Sequence, residues 1–198
     1  VGTPLSSISV TRNQITVNSQ ETFLDNQLDA SGRFHTGFIR PNLVMGIEGG
    51  RETSDPTRFA ITGVPGTNLL HPDEDQAYAG VATVSSRVKT TAVSFGAYLL
   101  DTMRLGQKWE LIAGVRWDRF DADYKQTLAP ISAFSRVDGM PTWRTALVYK
   151  PVQAGSIYFS YGDSFNPSAE SLTLSATTAS LPPEKKNNYE PGTKWELL

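Results

Sequence analysis

The sequence predicts an all-β chain, an antiparallel meander that forms part of a transmembrane β-barrel. Three observations carry that expectation. Apolar and polar residues alternate with period two over several stretches. Short and long connections between those stretches alternate along the chain. No apolar run approaches the roughly 18 residues that a membrane-crossing helix needs; the longest obvious one is Leu43-Val44-Met45-Gly46-Ile47.

Taken in order, residues 1–18 read as an extracellular loop or a strand end. Ile8, Val10, Ile15 and Val17 could line a strand, but Asn, Ser and Gln punctuate them. The next stretch sets Leu24, Leu28, Ala30, Phe34 and Phe38 against Asp25, Gln27, Asp29, Ser31, Arg33 and His35. A tight turn is expected at Ile39-Arg40-Pro41-Asn42, followed by Leu43, Met45 and Ile47 on one face. A long connection rich in Pro, Gly, Thr and Asp is expected over Thr53–Ser85.

Val93, Phe95, Ala97 and Leu99 then alternate with Ser94, Gly96, Tyr98 and Leu100, and Leu105-Gly106-Gln107 reads as a tight turn. The clearest strand is Lys108–Phe120. Its odd positions are Trp109, Leu111, Ala113, Val115 and Trp117, and its even positions Glu110, Ile112, Gly114, Arg116 and Asp118. A helix would scatter these apolar residues around its circumference. A gap near 126–135 carries Pro130.

Trp143, Thr145, Leu147 and Tyr149 form the next apolar set, Pro151-Val152-Gln153-Ala154 a tight turn, and Ile157, Phe159 and Tyr161 the set after it. Residues 164–186 read as a long loop with Pro167, Pro182 and Pro183, and Trp195 and Leu197 alternate with Lys194 and Glu196. This makes about seven strands by pattern. In such a meander all short turns fall at one end and all long loops at the other, the layout of an outer-membrane barrel. Trp109 and Trp117, eight residues apart on one face, span about 20 Å along the membrane normal at a barrel-like tilt, close to the spacing of two aromatic girdles.

Composition narrows the function. The chain has 198 residues, 39% of them hydrophobic and 10% aromatic, too apolar for a disordered segment. A formal net charge of −2 argues against a nucleic-acid partner. With no Cys and only His35 and His71, thiolate metal sites, multi-His metal centres and Cys nucleophiles are excluded. No nucleophile elbow, phosphate loop or Ser-His-Asp set is recognisable, so no enzyme and no cofactor is expected.

Several segments resemble one family. Lys108–Tyr124, Leu147–Ser168 and Leu181–Trp195 are similar to barrel strands of TonB-dependent siderophore receptors, the last through its Pro-Glu…Tyr-Glu-x-Gly-x-Lys-Trp pattern. Leu24–Glu52 is similar to the preceding hairpin, and the likeness is nearest to catecholate-type receptors. The resemblance implies a barrel of about 22 strands with a plugged lumen. This chain supplies about seven or eight of them, with 1–198 read as a partial, internal piece that lacks the plug domain and the C-terminal strands. Pro41 stands where the family often has His, and Pro191 is expected to weaken strand pairing around it.

The resemblance further implies import of a ferric siderophore across the bacterial outer membrane, energised by the TonB-ExbB-ExbD complex through the plug, with iron present only inside the bound complex. An anionic, aromatic cargo calls for cationic and aromatic side chains at the long-loop end. The candidates there are Arg51, Arg58, His71, Arg87, Lys89, Tyr124, Arg136, Lys185 and Lys186. Glu110, Arg116 and Arg144 are expected to face the lumen. Trp109, Leu111, Val115, Trp117, Phe159 and Trp195 are expected to face outer-membrane lipid. Two acidic groups, Asp73-Glu74-Asp75 and Asp118/Asp121/Asp123, read as solvated rather than metal-binding. From the pattern alone, a small passive barrel or porin is the competing reading.

Overall fold

A computed structural model describes residues 4–167 and 181–196. Its elements are a 3₁₀ turn at Leu5–Ser7 and nine strands: β1 (Ser9–Val10), β2 (Gln14–Arg33), β3 (Ile39–Thr62), β4 (Thr67–Asn68), β5 (Val81–Leu105), β6 (Trp109–Gln126), β7 (Ser132–Val152), β8 (Gly155–Asn166) and β9 (Glu184–Trp195). Seven of these make one sheet in the order β2-β3-β5-β6-β7-β8-β9, and β1 pairs with β4 in a second, two-stranded sheet. The meander expected from the alternation is therefore the observed topology, and β2 and β9 are its edges.

The chain divides into two compact units. The first comprises Val1–Thr22, Thr53–Thr90 and Lys125–Ala133, the second Phe23–Glu52, Thr91–Tyr124 and Phe134–Leu198. The second unit contains the tight turns. The β2–β3 turn lies at Thr36–Ile39, where each residue's N–H donates to the other's carbonyl at 3.0 and 3.2 Å. The expected turn at Ile39–Asn42 is thus shifted about one turn length toward the N-terminus. Gly37, at φ +64°, supplies the left-handed backbone that a two-residue hairpin turn requires, and Pro41 sits inside β3 instead. Gly106, at φ +68°, does the same between β5 and β6, where a turn is expected. The β7–β8 turn holds Gln153 and Ala154, after a bulge between Tyr149 and Val152.

Pro191 does not interrupt β9, which pairs with β8 continuously from Asn166↔Glu184 to Gly155↔Trp195. The Glu196 N–H donates to the Ala154 carbonyl at 2.8 Å. Alternation along the ladder then gives Lys194, Gly192 and Glu190 the hydrogen-bonded positions toward β8. Pro191 takes a position whose missing N–H points away from β8, so the proline removes no bond from this ladder.

In the first unit the long connection is shorter than expected. β3 continues to Thr62 and β5 begins at Val81, so residues 63–80 replace Thr53–Ser85 as the loop. That loop is folded. Arg12 donates from Nε to the Pro65 carbonyl at 2.9 Å, from Nη1 to the Asp73 carbonyl at 2.8 Å and from Nη2 to Gln76 Oε1 at 2.7 Å. Asn68 Oδ1 accepts the Leu70 and His71 N–H groups, and its Nδ2 donates to the Ser6 carbonyl. Residues 14–18, ambiguous in sequence, are strand. The connection after β6 is only Thr127–Ile131, and the stretch 168–180 of the expected loop 164–186 lies outside the described residues, as does Leu197.

Few apolar residues are buried. Ala92 and Ala122 are the buried hydrophobics among the described residues, with Phe120, Tyr124 and Phe134 packed on Ala122. A single-layer sheet has nothing to cover its apolar face, so Trp109, Val115, Trp117, Phe159 and Trp195 stand exposed on it.

Candidate functional site

The candidate site is a cleft of about 360 Å³ on one face of the second unit, lined by residues that include Gln27, Glu48, Tyr98, Arg116, Arg144 and Asp163. Strand alternation puts polar side chains at every second position of β2, β3, β5 and β6 on this face. Glycines clear the space between them. A side chain at Gly46 would strike the Asp29 carboxylate and the Tyr98 hydroxyl, and one at Gly96 would strike the Arg116 guanidinium.

These side chains form one network. Gln27 Nε2 donates to the Tyr98 hydroxyl at 2.7 Å, and that hydroxyl donates in turn to Asp29. Arg116 Nε donates to both oxygens of Asp118 at 2.8 and 2.9 Å, while Nη2 donates to Glu48. The same guanidinium lies 5.6 Å from the centre of the Tyr98 ring. Two carboxylates thus share one guanidinium, and with Asp29 the network holds three acidic groups against one basic group. The guanidinium and its two carboxylate partners are only about one third exposed or less, so their hydrogen bonds are partly shielded from water.

The other predicted inward-facing residues share this face. Arg144 approaches Gly114 from β7, and Glu110 accepts Lys150 Nζ at 3.2 Å. On the opposite face Trp109 stacks on Tyr149 with centroids 4.6 Å apart, Trp117 meets Phe95 at 6.1 Å, and Leu147 pairs with Phe159. The Trp195 ring covers Gly155.

The ligand candidates are not gathered. Only His71 lies in a loop; the rest sit in strands, because β3, β5, β6, β7 and β9 extend further than their patterns indicate. Arg58, Arg87 and Lys89 belong to the first unit, and the Ser85 hydroxyl donates to the Arg58 carbonyl at 3.2 Å. Arg51 follows Gly50, whose missing side chain faces Ser94 and Asp25, so Arg51 projects from the other face. Tyr124 packs on Phe134 at 6.0 Å. Arg136 is held by the buried carboxylate of Asp138 at 2.7 Å. Lys185 and Lys186 lie in β9, where Lys186 comes within 4.0 Å of Glu184.

No sequence pattern marks Gln27, Asp29, Glu48, Tyr98 and Asp118 as a group. One local signal was available: Arg116–Asp118, Arg119–Asp121 and Arg136–Asp138 are all Arg-x-Asp pairs, and residues two apart on a strand share a face. Among the described residues no cluster of three His, Cys, Asp or Glu side chains is placed to hold a metal ion.

Comparison with known proteins accords with this architecture. The chain is 28% identical over 212 residues to the siderophore receptor PiuA of Acinetobacter baumannii, covering 92% of this chain and 28% of PiuA. It is 24% identical over 225 residues to the catecholate siderophore receptor Fiu of Escherichia coli K12, covering 98% of this chain and 29% of Fiu. The chain therefore spans under a third of the length of these relatives. The crystal structure of Fiu in a closed form superposes with a TM-score of 0.82 at 23% identity, over all of this chain and 32% of Fiu. PiuA superposes with a TM-score of 0.81 at 23% identity, over 92% of this chain and 30% of PiuA. The model of the TonB dependent receptor-like β-barrel matches residues 2–197, so the chain belongs to that family, one of receptors and not enzymes.

Proposed function

We propose that these residues form part of an outer-membrane receptor that imports an anionic ferric siderophore of catecholate type, with energy delivered by TonB. The family match across residues 2–197 carries this reading, supported by relatives described as siderophore and catecholate receptors. In this reading the face with Glu48, Tyr98 and Arg116 lines the lumen and the Trp109–Tyr149 face meets lipid. Hydrated side chains line such a lumen while apolar and aromatic ones form the outer band. Family membership does not favour the passive-barrel alternative.

The cargo's first contact is assigned to Arg58, whose even position on β3 puts it on the face of Glu48, whereas Arg87 and Lys89 sit at odd positions of β5, on the face of Phe95. Loop 63–80 carries His71 but also Asp73, Glu74 and Asp75, so it repels an anion and leaves attraction to that strand cation. Uptake of radiolabelled iron is the test, in cells whose only catecholate receptor is the full-length protein. Accumulation that needs TonB is expected, and its absence rejects the proposal. An Arg58→Gln variant is expected to bind the complex more weakly with a flatter salt dependence, and Arg87→Gln, on the other face of the sheet, to leave both unchanged.

A further inference from the structure

Three cations of the first unit share the sheet face opposite Arg58. Arg87 and Lys89 take odd positions on β5, Lys125 takes an odd position on β6, and all three are exposed. Their neighbours Val88, Thr90, Tyr124 and Gln126 are half-buried or buried, so the alternation runs unbroken through both segments. The Thr127 N–H donates to the Arg87 carbonyl at 3.0 Å. In an antiparallel ladder that bond sets residues 87 and 127 opposite each other, and two residues along each strand it sets Lys89 opposite Lys125. The same register holds nearer the turn, where Leu100 lies against Gly114.

Among the described residues, none of these three side chains makes an ion pair or a hydrogen bond. Asp55 on β3 and Asp123 on β6 share the face by position but pair with none of them, and Asp121 is held by Arg119 at 3.0 Å. Like charges directly opposite across strands destabilise a sheet, so Lys89 and Lys125 are relieved by an anion that bridges them. Phosphate suits such a group, since it accepts the two-pronged donation of an arginine and the point charge of a lysine.

The place of these cations in the fold selects the source of the phosphate. On β5 they share the face of Phe95, which meets Trp117. In the receptor reading that face meets lipid, so it is closed to the plug and to the cargo inside the lumen. Lys89 lies six residues beyond Phe95, about 20 Å of strand, or about 15 Å along the membrane normal at a barrel-like tilt. A phospholipid headgroup layer is only about 5–8 Å deep. A phosphate at the level of Lys89 is therefore carried by a saccharide that extends past the headgroups. We propose that Arg87, Lys89 and Lys125 bind saccharide phosphates of an outer-leaflet glycolipid. The proposal rests on the receptor reading, in which the long loops face outward.

The test uses the full-length receptor in phosphatidylcholine nanodiscs, titrated with rough lipopolysaccharide that carries core phosphates and read by native mass spectrometry. Saturable retention is expected, and about tenfold weaker retention once the core phosphates are removed. An Arg87→Gln/Lys125→Gln double variant is expected to lose about tenfold in affinity, the scale of lost charge-assisted hydrogen bonds, with a flatter salt dependence. Lys125→Gln alone, a milder change at an exposed position, is expected to lose about threefold. Lys108→Gln removes an exposed cation from the β5–β6 turn and is expected to change nothing. No saturable retention, equal affinity in the Lys125→Gln and double variants and the unaltered receptor, or an equal loss in Lys108→Gln overturns the proposal. Equal retention of phosphatidylglycerol also overturns it, in favour of a phospholipid headgroup site. The assay needs no siderophore, so a receptor that retains the glycolipid but binds no ferric complex loses only the cargo assignment.

Discussion

The guanidinium of Arg116 on β6 crosses the intervening strand β5 at Gly96 to reach the carboxylate of Glu48 on β3. The crossing exists because position 96 has no side chain. Any Cβ there meets Arg116 Cζ at 3.1 Å and Asp118 Oδ1 at 3.0 Å. One ion pair therefore ties three strands together on the polar face.

Gly96→Val is expected to destabilise the full-length receptor by about 1–3 kcal/mol, the usual cost of forcing bulk into a packed site. Gly49→Ala serves as the control, since its added carbon meets only the Ser94 carbonyl, at 3.8 Å. Urea unfolding in lipid checks both. Equal effects at the two positions refute the role given to the crossing.

The assignment of faces is tested by chemical labelling. The 198 residues contain no Cys, so single substitutions give an unambiguous signal. Arg144→Cys is expected to react with a water-soluble thiol reagent in isolated outer membranes. Val115→Cys, on the face of Trp117 and Phe95, is expected to stay unlabelled until detergent is added. The reverse pattern inverts the lumen and lipid faces.

Arg12 anchors loop 63–80 with three hydrogen bonds to Pro65, Asp73 and Gln76. Each is worth about 1 kcal/mol or somewhat more. Arg12→Ala is expected to speed proteolytic cutting within 63–80 by about tenfold or more, because local opening sets that rate. Arg12→Lys keeps the charge but not the fork, and is expected to restore little. Unchanged cutting in Arg12→Ala means that the β1–β4 pairing holds the loop by itself.

The placement of Pro191 predicts a contrast along β9. Pro191→Ala is expected to leave hydrogen-exchange protection at Gly192 and Lys194 unchanged, since position 191 makes no bond to β8. Lys194→Pro removes a donor that faces β8 and is expected to strip protection from the neighbouring amides. Loss of protection in Pro191→Ala contradicts the ladder phase derived from Glu196 and Ala154.

Much of this architecture was legible in order of residues alone. Period-two alternation at Trp109–Trp117 and Trp143–Tyr149 marks strands because successive side chains point to opposite faces, whatever the neighbours are. Gly106 marks its turn because only glycine adopts φ +68° without cost. Strand ends were less legible. β3 runs through Thr53–Thr62 and β5 starts at Val81, where cross-strand hydrogen bonds override residues that otherwise favour loops.

The site belonged to the tertiary structure. Nothing local connects Asp29 to Tyr98 or Glu48 to Arg116, which are 69 and 68 residues apart in sequence. The register of β2, β3, β5 and β6 decides which side chains share a row, and a shift of one residue would send each to the opposite face. That register is set by the turns at Thr36–Ile39 and Gly106 together with the glycines at 46 and 96. The sequence by itself determined that one face would be polar. Only the paired strands decided which carboxylates meet Arg116.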